Sequence, residues 1–199
     1  MSHPSFFDNA IKITLYDPLA EMLGASEKGL IEYSYTDVVK LAGHSCPTVA
    51  GAYLMSVKAL GHLYGDSIAQ RGDIKVDFQD DQLNGVTGVI ANVVGFITGA
   101  TVDNGFKGLA GQYDRRNLLS FNAPIDGDIQ FQRRDTGAKV TVSFNAGVVP
   151  APPTLMPTLQ RILVGSATRE ERDDFGKAWQ ERVRQILENA DHPELVTFA

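Results

Sequence analysis

Gly43-His44-Ser45-Cys46-Pro47-Thr48-Val49-Ala50-Gly51-Ala52-Tyr53 is the stretch on which the reading of this chain turns. Gly43 breaks one apolar segment and Pro47 begins another, since proline at the first helical position lacks an N–H that would find no partner there anyway. From Pro47 onward Ala50, Tyr53, Leu54, Val57, Leu60 and Tyr64 recur at helical spacing until Gly65. Ala50, Gly51 and Ala52 line the first turns, so a neighbouring element is expected to pack closely against them.

Working outward, Tyr35 to Ala42 predicts a short helix with Asp37 as its cap. Before it, Ile11, Leu15, Leu19 and Leu23 recur every four residues and predict an amphipathic arm divided at Pro18. Downstream, Arg71-Gly72-Asp73 reads as a turn, and Ile74, Val76 and Phe78 alternate with charged residues as in a half-buried strand. Val86, Val89, Ile90, Val93, Val94 and Ile97 form a helical stripe that stops at Gly99. Leu118 to Phe121 reads as strand. Residues 129–134 and 139–144 form a hairpin around Asp135-Thr136-Gly137. Val149 to Pro153 is a stiff exit from the sheet. A mostly helical tail follows, with acid after Thr168 marking a helix start and Phe175, Trp179, Val183 and Ile186 continuing one face. The predicted class is α+β: a small antiparallel sheet packed with several helices and a long C-terminal helix. Residues 1–199 read as a single domain, with 150–199 as a helical C-terminal extension.

Composition narrows the function classes. Eighteen Lys and Arg against 24 Asp and Glu in 199 residues leave a net charge of −6. That balance argues against a nucleic-acid partner, which needs a basic face to displace counterions from phosphate. The N-terminus lacks the basic start and apolar core of a signal peptide, and no run approaches the roughly 18 apolar residues of a membrane span. The expectation is a cytoplasmic protein with no membrane partner. The single cysteine, Cys46, excludes an internal disulfide and a zinc site made of several cysteines of one chain.

His44 and Cys46 carry the sharpest chemistry. An imidazole and a thiolate two residues apart, on a non-helical approach, can both reach one transition-metal ion. The free N–H groups of the following helix also favour the thiolate. The same spacing fits a buried cysteine beside a helix-capping histidine. His62 is sixteen residues beyond Cys46 on the same helix, about 24 Å away at ~1.5 Å per residue, and falls outside any shared site. His192 reads as surface. His3, beside Phe6 and Phe7, either folds over the site or belongs to a loose terminus. The glycine-rich stretch 105–116 brings Lys107, Arg115 and Arg116 as candidates for holding an anionic group, and a plain strand and turn explains it equally. Tyr53 is a further candidate for lining that pocket, with core packing as its other reading.

The run Gly43-His44-Ser45-Cys46-Pro47 and its small-residue helix resemble the Gly-His-x-Cys-Pro signature of the FmdE-like family, which takes its name from formylmethanofuran dehydrogenase. The resemblance continues through Arg71-Gly72-Asp73 and Ile97-Thr98-Gly99, covering roughly residues 35–120. It implies a metal held by His44 and Cys46, zinc first and nickel or iron(II) as alternatives, in a homodimer. Where family members often carry a cysteine after Thr-Gly, this chain has Ala100, and it has no cysteine-rich C-terminal ribbon. Asp103 and Asn104 follow that position and offer oxygen ligands, although turn chemistry alone also explains them. The coordination sphere must then be completed by nitrogen, oxygen, water or a bound small molecule, which resembles an open functional site more than a structural one. The expected function is a metal-binding protein whose open His/Cys site takes a small anionic ligand, with a non-catalytic accessory or metal- or cofactor-sensing module as the alternative. As an enzyme, it would use the metal as a Lewis acid or to activate water.

Overall fold

The computed structural model describes residues 3–199. After a 3₁₀ turn at Ser5–Asn9 come β1 (Ile13–Tyr16), α1 (Pro18–Met22), β2 (Leu30–Tyr33), α2 (Tyr35–Ala42) and α3 (Pro47–Tyr64). Then follow β3 (Ala69–Gln70), β4 (Ile74–Phe78), α4 (Thr87–Thr98), β5 (Leu119–Ser120), β6 (Ile129–Arg133) and β7 (Lys139–Phe144). The chain closes with α5 (Leu155–Leu163), α6 (Arg169–Glu188) and β8 (Val196–Phe198).

The α+β class holds, with the long C-terminal helix in place. The strands form two mixed sheets rather than one antiparallel sheet, in the orders β2-β1-β3 and β5-β4-β6-β7-β8. The hairpin is as expected, with Ile129 opposite Val142 and Phe131 opposite Val140. Two parallel pairings complete the sheets, Leu15 with Ala69 and Val76 with Leu119. Each joins segments more than forty residues apart, so no local pattern announces it. Likewise β8 adds to β7, with Val142 opposite Phe198, in a tail whose pattern predicts helix alone.

The N-terminal arm is a correction. Ile11, Leu15, Leu19 and Leu23 do not share a helical face: Leu15 is buried in β1, Leu23 is exposed, and α1 lasts only from Pro18 to Met22. Ile13, Thr14 and Tyr16 suit a pleated surface, and pairing on both edges of β1 outweighs the four-residue spacing. The cap of α2 also shifts. Ser34 is the N-cap, its hydroxyl accepting from the Asp37 N–H at 3.4 Å while the Asp37 carboxylate accepts from the Ser34 N–H at 2.9 Å. Asp37 is thus the third helical residue of a reciprocal capping pair.

α3 is the centre of the molecule, packed by α4, β7, α6 and α2. Its residues from Val49 to Leu60 are buried apart from Lys58. A helix apolar on every face belongs inside a layer of other elements. Gly51 shows how close that layer lies: a Cβ there would come within 2.5 Å of the Phe144 ring on β7. That contact is the close neighbour the small residues predicted.

Candidate functional site

The loop between α2 and α3 is fixed by both helices. Gly43 takes a left-handed φ of 75° and donates its N–H to Val39 O at 2.9 Å, ending α2 in the conformation that glycine adopts without strain. Cys46 then caps α3: its Sγ accepts the Val49 N–H at 3.4 Å, and Pro47 occupies the first helical position. The sulfur thus sits at the N-terminal end of an eighteen-residue helix. Cys46 is nearly buried, whereas His44 is exposed. His44 Nδ1 lies 3.0 Å from Ala42 O. A carbonyl only accepts, so Nδ1 is the donor, and in the neutral ring that leaves Nε2 with the lone pair.

Ser45, between the two, is the anchor. Its carbonyl accepts from Trp179 Nε1 at 3.0 Å and from Gln180 Nε2 at 3.1 Å, both on α6. Its hydroxyl lies 2.9 Å from the Tyr35 hydroxyl. Tyr35 is fully buried, and that burial raises its phenol above the usual value, so it remains protonated. Phe7 meets Tyr35 edge-on at 5.0 Å, and His3 stacks on Phe7 at 5.5 Å. Trp179, Gln180 and Tyr35 were not legible as site residues. Trp179 reads from sequence only as one position on a helical face, 134 residues from its partner.

The other candidates fall in different places. His3 reaches the aromatic stack behind the loop, but its Nε2 pairs with Asp8 Oδ1 at 3.0 Å. Asp103 is exposed on the turn after α4, and Lys107 is exposed beyond it. Among the described residues, no three His, Cys, Asp or Glu side chains gather as a metal cage. Tyr53 is fully buried, and its hydroxyl donates to Ile11 O with Tyr33 O at 3.1 Å. Arg115 is buried against Asp17, at 2.8 Å. His62 stacks on Phe198 at 5.0 Å, far along α3.

A cleft of about 480 Å³ begins at Pro47 and Thr48, directly after Cys46. Met55, Phe78 and Phe144 give it apolar walls, and Asp80 and Asp128 give it acid. Lys107, Arg115 and Tyr53 do not line it, and it has no lysine or arginine. The residues at the loop fit a two-donor metal set: a soft sulfur held at a helix N-terminus and an imidazole whose tautomer is fixed by a backbone carbonyl.

Fold and loop together define an α+β protein that displays a histidine–cysteine pair at the mouth of its buried central helix. The chain matches the FmdE family, described as molybdenum formylmethanofuran dehydrogenase operon, over residues 41–195, and it belongs to that family. The match takes in the hairpin, α5 and α6, beyond the 35–120 stretch of motif resemblance. No curated protein and no solved structure matches the chain. No helix among the described residues is long and apolar enough to cross a membrane.

Proposed function

We propose that this chain binds a divalent transition-metal ion, zinc first, through His44 Nε2 and the Cys46 thiolate, and that the other coordination positions belong to water or to a small molecule. The observation that supports this most directly is the fixed tautomer of His44 beside a cysteine held at a helix N-terminus. Bound there, the metal would supply Lewis acidity or an activated water. The chain's own part is to hold the two donors: Trp179 and Gln180 secure the loop through Ser45 O, and Tyr35 secures the Ser45 hydroxyl. A small molecule would approach through the adjoining cleft, whose Asp80 and Asp128 favour a neutral or cationic group over an anion. We place the protein in the cytoplasm on its composition, and as a homodimer on the family resemblance.

Elemental analysis of protein purified without added metal tests the reading. Wild type should carry stoichiometric metal, and His44→Ala and Cys46→Ala should each lose it; full retention in both variants sinks the assignment. A melting temperature unchanged by chelation separates an open functional site from a metal that orders the loop, as an accessory or sensing module would have it.

A further inference from the structure

At the other end of α4 lies a second cleft, of about 280 Å³, lined in part by Arg71, Gly72, Asp73, Tyr113, Arg115 and Arg134. Two of its lining arginines, Arg71 and Arg115, pair with Asp17, itself buried. The Asp17 carboxylate accepts from the Leu19 and Ala20 N–H groups, from Arg115 Nη2 at 2.8 Å and from Arg71 Nη1 at 3.1 Å. Three of these donors share Oδ1, and Arg71 alone uses Oδ2. The two arginines are not satisfied in return. Arg115 is only 5% exposed, yet Asp17 is the one acceptor its guanidinium reaches among the described residues, and its Nη1 is buried without a partner. Arg71 gives Nη2 to Phe96 O at 3.0 Å, but its Nε is likewise buried and unpaired.

The guanidinium of Arg115 is held rather than loosely packed. Gly72 and Gly99 both adopt left-handed φ, 82° and 75°, and a Cβ on either would collide with it. The Arg115 backbone is tied by its N–H to Phe106 O and by its carbonyl to Thr101. The buried guanidinium of Arg115 and the half-buried one of Arg71 therefore face one carboxylate, with surplus positive charge and N–H groups that lack acceptors. Leaving charged donors unpaired in a buried place is costly, and an acceptor that reaches the cluster offsets that cost. At the rim, Arg134 is half exposed and lies 3.5 Å from Asp73, while Asp114 is taken up by Arg116 at 2.8 Å.

We infer that this cleft binds a small oxyanion, the carboxylate or phosphate group of a ligand, on Arg71 and Arg115 with Arg134 closing the rim. The site is separate from the His44–Cys46 loop. Asp17, Arg71 and Arg115 meet at the C-terminal end of α4, whereas the cleft after Cys46 is lined at the helix's opposite end by Thr87.

The test is thermal unfolding of the full chain titrated with inorganic phosphate or with acetate, ionic strength held constant with chloride. A ligand of the folded state raises Tm in a saturable way. Wild type should show such a rise with one anion or both, phosphate indicating a tetrahedral occupant and acetate a planar one. Arg134→Gln, whose side chain is exposed enough to spare the fold, should melt as wild type in chloride and need about tenfold more anion for the same rise, the effect of losing one charge-assisted contact. No rise beyond chloride with either anion overturns the inference, and so does an equal rise in Arg134→Gln.

Discussion

The loop at the mouth of α3 and the charge cluster at the end of α4 are each organised around one shared acceptor group, and they differ in what supplies the donors. Ser45 O takes two neutral N–H groups from α6. That arrangement balances without charge, and it leaves His44 and Cys46 free to act on something else. Asp17 takes two guanidiniums, and the arrangement does not balance. The comparison teaches where each region stores its vulnerability. The loop has a second donor in reserve, whereas the cluster has a single carboxylate on which one buried and one half-buried cation depend. Asp17 also lies outside the family match, which begins at residue 41, while Arg71 and Arg115 lie within it. The cluster is therefore the charged seam between the β1–α1 segment and the body that defines the family.

Breaking the seam should have the largest effect. Asp17→Asn keeps the helix cap of α1, since asparagine caps as well as aspartate, but it removes the charge and turns the oxygen that accepts from Arg71 into an NH2 donor. Arg71 and Arg115 would then face each other without a counter-ion, and loss of one partner from a buried pair costs about 3–5 kcal/mol. Urea unfolding at pH 7 measures it. The Arg115 and Arg71 hydrogen bonds and the Ala20 N–H hold the Asp17 carboxyl below the ordinary carboxylate value of 3.8, against the opposing effect of burial. A depressed native value stabilises the fold above the unfolded value and loses that contribution as pH falls through the native one. The gap between wild type and Asp17→Asn should therefore narrow below about pH 4. A gap that is constant from pH 7 to pH 3 would show that the charge contributes nothing.

The same contrast explains what could be read in advance. The His44–Cys46 pair, α3 with its proline start, α4 with its glycine stop and the 129–144 hairpin are all local: the residues that decide them lie within one or two turns of each other. Their signals survive in a linear string. Asp17, Arg71 and Arg115 are spread over 98 positions, and the chain order says nothing of their meeting. Arg115 could be singled out as a cation in a glycine-rich loop, but its partner could not. The N-terminal arm misled for a related reason. Its four-residue spacing is compatible with a helix, and only the edges offered by β2 and β3 decide for a strand. Trp179 and Gln180 were legible as helix and illegible as a clamp.

A smaller effect should come from crowding the cluster without touching its charges. Gly72→Ala places a methyl 2.5 Å from the Arg115 guanidinium at a φ of 82°. The left-handed backbone alone costs an L-residue roughly 1–2 kcal/mol. Gly137, in the hairpin turn, has a nearly equal φ of 77° and nothing within 4 Å of its would-be Cβ. Gly137→Ala therefore reports the backbone cost by itself. Gly72→Ala should exceed it by about 1 kcal/mol or more, in keeping with overpacking of a closed site. Equal losses in urea unfolding would mean that Arg115 gives way, and that the cluster is looser than its two flanking glycines imply.

The smallest effect belongs to the loop. Trp179→Phe removes one of the two donors to Ser45 O, but Gln180 Nε2 still reaches that carbonyl at 3.1 Å. The acceptor is never orphaned, so the loss from the hydrogen bond should stay under about 1 kcal/mol, the net worth of an ordinary neutral bond. Gln180→Ala should behave the same way for the same reason. The double variant is different in kind, because Ser45 O then loses both donors, and its desolvation adds a cost of about 1–3 kcal/mol beyond the sum of the single losses. A double-mutant cycle in urea reads that coupling directly. Strict additivity would mean that water replaces either donor without penalty, and the loop would then owe its position to Cys46, Gly43 and the Tyr35–Ser45 hydrogen bond. Positive coupling instead makes the α6 clamp a shared support, the neutral counterpart of the carboxylate that holds Arg71 and Arg115.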